Sequence, residues 1–139
     1  MALEKKLEDF GSALKRLREA YRRAEEKRGD ELYEFLRDST IQRFEFTLEI
    51  GWKTMKSYLL EIEGIECRSP KSCIREFLAA GHIDSNRALR LLEMVDDRNL
   101  ATHTYHESVA EEIFSRVGEY LEILETVYGE IEKSSSSQL

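Results

Sequence analysis

The sequence predicts an all-α fold, an up-and-down four-helix bundle with one extra short helix, and three observations predict it. Apolar residues recur at spacings that alternate four and three over three long stretches, which places them on one side of a helix. No stretch alternates apolar and polar with period two for long enough to make a strand. Of 139 residues, 41% are hydrophobic and 35% charged, with a single proline, the balance of a helical protein with a charged outer surface. The length suits one domain, expected over 1–133.

The first helix, expected at 3–28, carries Leu3, Leu7, Phe10, Leu14, Leu17, Tyr21 and Ala24 in seam spacing. Gly29 fits its C-terminal end, and Asp30 can cap the next helix. That second helix, expected at 31–63, repeats the rhythm with Ile41, Phe44, Leu48, Gly51, Met55, Tyr58 and Ile62. Trp52 and Leu59 widen its stripe, Trp52 and Tyr58 read as core, and Gly64 ends it. Ser69-Pro70 reads as a helix cap followed by a proline in the first turn, opening a short helix over 70–80 that stops at Gly81. Asp84 or Ser85 then caps a helix at 85–101 holding Ala88, Leu91, Leu92 and Val95. The last helix, at 105–132, carries Val109, Ile113, Val117, Tyr120, Leu124, Val127 and Ile131, with Thr104 and Glu107 at capping-box spacing. The serine run from Ser134, covering 134–139, reads as a disordered tail. Apolar positions outside the seams predict a bundle that also forms a homodimer.

Charge and cysteine usage narrow the function classes. A net charge of −7 opposes unspecific coating of nucleic acid, which needs a basic field. The charge is uneven, however. Seven basic residues face three acidic ones between Lys15 and Arg28, whereas Glu107 to Glu132 holds eight glutamates and one arginine. No apolar run approaches a membrane span, and the charged N-terminal stretch does not resemble a signal peptide. Cys67 and Cys73 lack zinc spacing and read as reduced thiols of a cytoplasmic protein. No cofactor and no metal site is expected.

Chemically able side chains crowd in one segment, from Asp96 to His106. Arg98 offers a planar fork of donors for phosphate oxygens, and His103 titrates near neutrality and can move the proton of a ribose 2′-hydroxyl. That pair suffices in type for metal-independent RNA cleavage. On one unbroken helix, positions five apart point about 140° away from each other, whereas Asn99 and His103 share a face. Convergence of Arg98 and His103 therefore requires a helix break between them or two subunits facing each other. The bland alternative is Arg98 paired with Asp96 or Asp97 and a histidine hydrogen-bonded in a loop. His106 is a weaker candidate, and His82 reads as an exposed loop residue. Gln42, Arg43 and Glu45 are possible cleft or partner contacts, with Glu49 four residues further on.

The run Arg98-Asn99-Leu100-Ala101-Thr102-His103-Thr104-Tyr105 resembles the Arg-Asn-x-x-x-His-x-Tyr signature of HEPN-domain proteins. Asp38 to Thr47, Trp52-Lys53, Ser69-Pro70-Lys71 and Met94 to Asp97 resemble one branch, the nucleotidyltransferase substrate-binding proteins. The resemblance covers roughly residues 5–130. It implies a homodimeric helical bundle with the Arg/His motifs of two subunits lining a shared cleft, and a minimal nucleotidyltransferase as partner. In toxin–antitoxin versions the helical protein is a ribonuclease that the nucleotidyltransferase silences by transferring AMP to the motif tyrosine. Arg98 would then bind phosphate and stabilise the transition state, His103 would act as general acid/base, Asn99 would orient the site, and Tyr105 would accept AMP. The alternative is a non-catalytic subunit that binds substrate or nucleotide for the nucleotidyltransferase.

Overall fold

The computed structural model describes residues 2–103 and 106–137. Among these residues all regular structure is helical: α1 (Ala2–Glu26), α2 (Tyr33–Glu63), α3 (Pro70–Ala79), α4 (Ser85–His103) and α5 (Glu107–Ser137). The predicted seams form the core. Phe10, Leu14 and Leu17 of α1, Phe44, Leu48 and Met55 of α2, Leu91 of α4, and Val117, Tyr120, Leu124 and Val127 of α5 are all buried.

Contacts between named residues give the directions. Thr54 and Thr47 of α2 reach the carbonyls of Lys6 and Ala13, so α1 and α2 are antiparallel. Tyr33 meets Glu111, and Phe44 stacks on Tyr120 at 5.6 Å between ring centres, so α2 and α5 run parallel. Arg90 meets Glu119 and Asp97 meets Arg116, so α4 is antiparallel to α5. The order is up-and-down. The parallel pair α2 and α5 forms the middle, and α1 and α4 flank it without touching each other among the described residues. The short α3 bridges α2 and α4.

Two local devices let α1 and α2 approach closely. Thr40, Thr47 and Thr54, seven residues apart, are buried, and each hydroxyl donates to the carbonyl four residues earlier at 2.7 Å. This satisfies a polar group at a helix contact without a bulky partner. At Gly51 an added Cβ would lie 3.1 Å from the Phe10 ring, which explains a glycine inside an apolar stripe.

The helix ends follow the sequence signals with small shifts. The Asp30 carboxylate accepts from the Leu32 amide at 2.8 Å, and α2 starts at Tyr33 after a turn. Gly64 ends α2 in the left-handed region (φ 70°), where glycine carries no Cβ penalty. Ser69 and Ser72 cap α3 reciprocally, and Asp84 accepts from the Arg87 amide at the start of α4.

Two expectations are overturned here. Cys67 and Cys73 are not free thiols but form a disulfide, with Cα atoms 5.2 Å apart. The cap at Ser69 folds the chain back, so that the loop cysteine meets the first turn of α3. The serine run is not a tail from Ser134 onward: α5 continues through Ser137, with Ile131 and Ser135 buried. Packing of that last stretch outweighs the weak helix preference of serine.

The α4–α5 contact centres on Asp97. Its side chain is 12% exposed, and it accepts from Arg116 Nε at 2.9 Å, Arg116 Nη2 at 3.1 Å and the Tyr120 hydroxyl at 2.6 Å. Removing a buried acceptor strands its donors. Asp97→Ala is expected to cost about 2–4 kcal/mol in urea unfolding followed by circular dichroism, and Tyr120→Phe about 1 kcal/mol. A loss below about 1 kcal/mol for Asp97→Ala would show that this contact does not hold the two helices together.

Candidate functional site

The candidate residues lie where the C-terminal end of α4 meets the start of α5. Between this junction and the first half of α2 runs an open groove of about 640 Å³. Gln42 and Glu45 of α2, Ala101 and Thr102 of α4, and His106 are among the residues that line it. Arg43, the third of the expected α2 contacts, faces the opposite side, toward α1.

Arg98 sits one helical turn before Ala101 and Thr102 and is partly buried. It pairs with neither Asp96 nor Asp97. Its Nη1 donates to Glu49 Oε2 of α2 at 2.7 Å, and its Nε is buried without a hydrogen-bond partner among the described residues. Asp96 instead pairs with Lys71 of α3 at 2.7 Å, and Asp97 is committed to α5. Three consecutive ionic residues thus reach three different helices.

Glu49, which the spacing placed four residues after Glu45 without assigning it a partner, is a hub. The same Oε2 accepts from the Trp52 indole at 3.1 Å, and Oε1 lies 3.2 Å from Lys53 Nζ. Burial pushes its carboxyl up, but the hydrogen bonds from Trp52 and Lys53 and the charges of Arg98 and Lys53 win and hold it below the usual range. Glu45, one turn earlier, goes the other way: burial raises it, and the Arg98 charge only partly offsets that. Of these two carboxyls of different acidity, Glu45 lines the groove and Glu49 holds Arg98.

The far end of the groove is closed by Arg37, which is buried with a 3% exposed side chain. Its guanidinium pairs with Glu107 and Glu111 of α5, each at 2.9 Å, and with Asp38 at 3.1 Å. Burial disfavours its charge, but these carboxylates hold it protonated. The start of α5 is thus already supplied with negative charge from Glu107. The last helix begins at Glu107 rather than 105. His106 lies just before it and accepts from the Val109 and Ala110 amides through its carbonyl.

The helix α4 continues unbroken to His103. Positions 98 and 103 therefore lie about 140° apart around its axis, and Asn99, which is exposed, shares the face of position 103. The side chain of His103, together with Thr104 and Tyr105, falls outside the described residues. His82 is not an exposed loop residue: 14% exposed, it stacks on Phe77 and shares Glu63 Oε2 with the Tyr58 hydroxyl, which donates at 2.5 Å. Burial and the Glu63 carboxylate push Tyr58 up to about 12. This cluster closes the opposite end of α2 and is remote in sequence from the motif. Among the described residues no three His, Cys, Asp or Glu side chains group as a metal site needs.

Residues 5–133 match the family described as nucleotidyltransferase substrate binding protein like. The chain belongs to this family. A crystal structure of a protein from Thermus thermophilus is 40% identical, with 83% of this chain and 98% of that one covered at a TM-score of 0.70. A second structure, the tri-AMPylated HEPN toxin of Shewanella oneidensis in complex with its MNT antitoxin, is 18% identical over 94% of this chain and 96% of that one, also at 0.70. At that identity it shows a shared helical fold. No curated protein matches the sequence.

Arg98 is one of the charges that hold the Glu49 carboxyl down. In wild type the Glu49 carboxyl, followed by carbon-13 NMR, is expected to titrate below an ordinary glutamate. In Arg98→Ala its midpoint should rise. The stabilisation from Glu49 is present above the unfolded value near 4.5 and is lost as pH falls through the depressed one. An unchanged midpoint in the variant would mean that the Arg98–Glu49 pair does not form in solution.

Proposed function

We propose that this protein is the helical, toxin-like member of a toxin–antitoxin pair: a metal-independent endoribonuclease restrained by a minimal nucleotidyltransferase that AMPylates Tyr105. The observation that carries the reading is Arg98, part of a complete Arg-Asn-x-x-x-His-x-Tyr motif, braced by Glu49 one helical turn before Ala101 and Thr102, which line the groove at the α4–α5 junction. A braced guanidinium is preorganised for a phosphate, which lowers the cost of ordering it.

In this reading Arg98 holds the non-bridging oxygens of the scissile phosphate. His103 takes the proton of the 2′-hydroxyl, the 2′-oxygen bonds to phosphorus, and the 5′-oxygen leaves with a proton from a second acid. Asn99 orients the site. The unbroken α4 keeps positions 98 and 103 apart within one chain, so the working centre combines Arg98 of one subunit with His103 of another in a homodimer. AMP on Tyr105 adds bulk and negative charge where substrate phosphate must sit.

The second reading, a non-catalytic subunit that binds substrate or nucleotide for its nucleotidyltransferase, is favoured by one observation. Glu45, with Asp38 and Glu107, places carboxyls in the lining of the groove and opposes a polyanion there.

Cleavage of a mixed RNA pool in EDTA decides between them. The ribonuclease reading expects activity in wild type and losses on the order of 10²–10⁴-fold in His103→Ala and 10²–10³-fold in Arg98→Ala. No cleavage by protein whose intact mass shows no AMP would select the binding subunit. The composite centre has its own test. Light scattering is expected to give twice the 16.3 kDa chain mass at micromolar concentration. Mixing Arg98→Ala with His103→Ala under subunit exchange should recover about a quarter of wild-type activity, because half the dimers are mixed and each keeps one intact centre. A monomeric mass, or no recovery from exchanged dimers, removes the composite centre.

A further inference from the structure

A second groove lies on the other side of the exposed ridge of α2, between α2 and α1. Its walls are Lys15, Arg16, Glu19 and Arg23 from α1, and Ser39 and Arg43 from α2. It continues along the same two helices past Gln42 and Phe46. Two features set it apart on a chain of net charge −7. Its acids are already engaged: Glu19 pairs with Arg23 at 3.0 Å, and Asp9, at its far end, pairs with Lys5 at 3.0 Å. Its cations Lys15, Arg16 and Arg43 have no ion-pair or hydrogen-bond partner among the described residues, although acidic residues outnumber basic ones 28 to 21.

Phe46 stands 59% exposed at the edge of this groove, and Phe35, 75% exposed, borders the groove at the α4–α5 junction. Ser39 and Gln42 line both grooves, so one surface runs from the α4–α5 junction over the α2 ridge to the free cations. Unpaired guanidinium groups flanked by exposed aromatic rings form the arrangement that binds a single strand: cations track the phosphates, and rings stack on bases. An acidic peptide would use the cations but not the rings.

We propose that the α1–α2 groove is the track for single-stranded RNA flanking the scissile phosphate, with Arg16 and Arg43 contacting the backbone and Phe46 stacking a base. The inference rests on the ribonuclease reading for its substrate, but its test does not depend on cleavage. Anisotropy of a fluorescein-labelled twelve-nucleotide DNA strand, which has no 2′-hydroxyl to react, gives affinity as a function of potassium chloride. Each phosphate contact contributes about 0.7 to the slope of log affinity against log salt for single strands. The double variant Arg16→Ala/Arg43→Ala should therefore lower the slope by about 1.4 and weaken binding several-fold or more at about 0.1 M salt. Phe46→Ala should weaken binding with the slope unchanged. Arg75→Ala, an exposed and unpaired arginine on α3, controls for diffuse charge and should change neither.

An unaltered slope in the double variant overturns the track, even if the same variant loses binding to another protein. Equal losses in the double variant and Arg75→Ala overturn it in favour of diffuse attraction. No binding by wild type overturns it as well, while cleavage in EDTA still decides the ribonuclease reading separately. Slope-dependent binding without cleavage supports the track and rejects the ribonuclease.

Discussion

The rotational setting of α4 depends on the buried carboxylate of Asp97. Successive helix residues are about 100° apart, so Asp96, Asp97 and Arg98 sweep about 200° and meet α3, α5 and α2 in turn. The three contacts do not weigh equally. Asp96 is largely exposed and Lys71 more than a third exposed, and such pairs contribute little. Asp97 is enclosed by Arg116 and Tyr120, and turning it away would leave two donors stranded in the bundle. With that contact fixed, Arg98 has one direction left, toward Glu49. The orientation of the candidate site is therefore set by a residue that takes no part in its chemistry.

The acidity of the chain and a phosphate-seeking site are compatible because charge acts locally. The Debye length is about 8 Å at physiological salt, so a strand on α2 feels its near neighbours rather than the sum. Many of the glutamates on α5 are spent on arginines of other helices: Glu107 and Glu111 on Arg37, Glu119 on Arg90, Glu125 on Arg18. These pairs tie α5 to α2, α4 and α1. What remains unpaired along the α1–α2 groove is positive. The net charge opposes unspecific coating of nucleic acid; it carries no information about one groove.

Residues that point into the core were legible from spacing, because an apolar side chain has one favourable place to be. The seams of α1, α2 and α5, and the caps at Ser69 and Asp84, lie where period and chemistry put them, and the motif marked the α4–α5 junction; Asp30 instead holds the turn before α2, whose cap position is Leu32. Polar partnerships were not legible. Arg98 had Asp96 and Asp97 beside it in sequence, yet its acceptor is Glu49, 49 residues away, because helix phase carries its neighbours to other faces. Arg37, which no sequence pattern singles out, is buried against three carboxylates. The Cys67–Cys73 bridge and the extension of α5 through the serines depend on how a loop folds back and what lies under a helix end. Neither leaves a periodic trace.

The unbroken α4 has a consequence for control under the proposed reading. If Arg98 and His103 cannot meet within one chain, catalysis requires two chains and disappears at concentrations below those that support the dimer. A centre assembled this way is open to two kinds of restraint. Modification at Tyr105 acts on the phosphate position itself. A partner that binds the face presented to the second subunit acts by preventing assembly, and needs no chemistry. Only the first leaves a permanent mark on the protein, so a restraint exerted through AMP outlasts the complex that installed it. This separates the ribonuclease reading from a simple binding subunit, for which occupancy by the nucleotidyltransferase is itself the functional state.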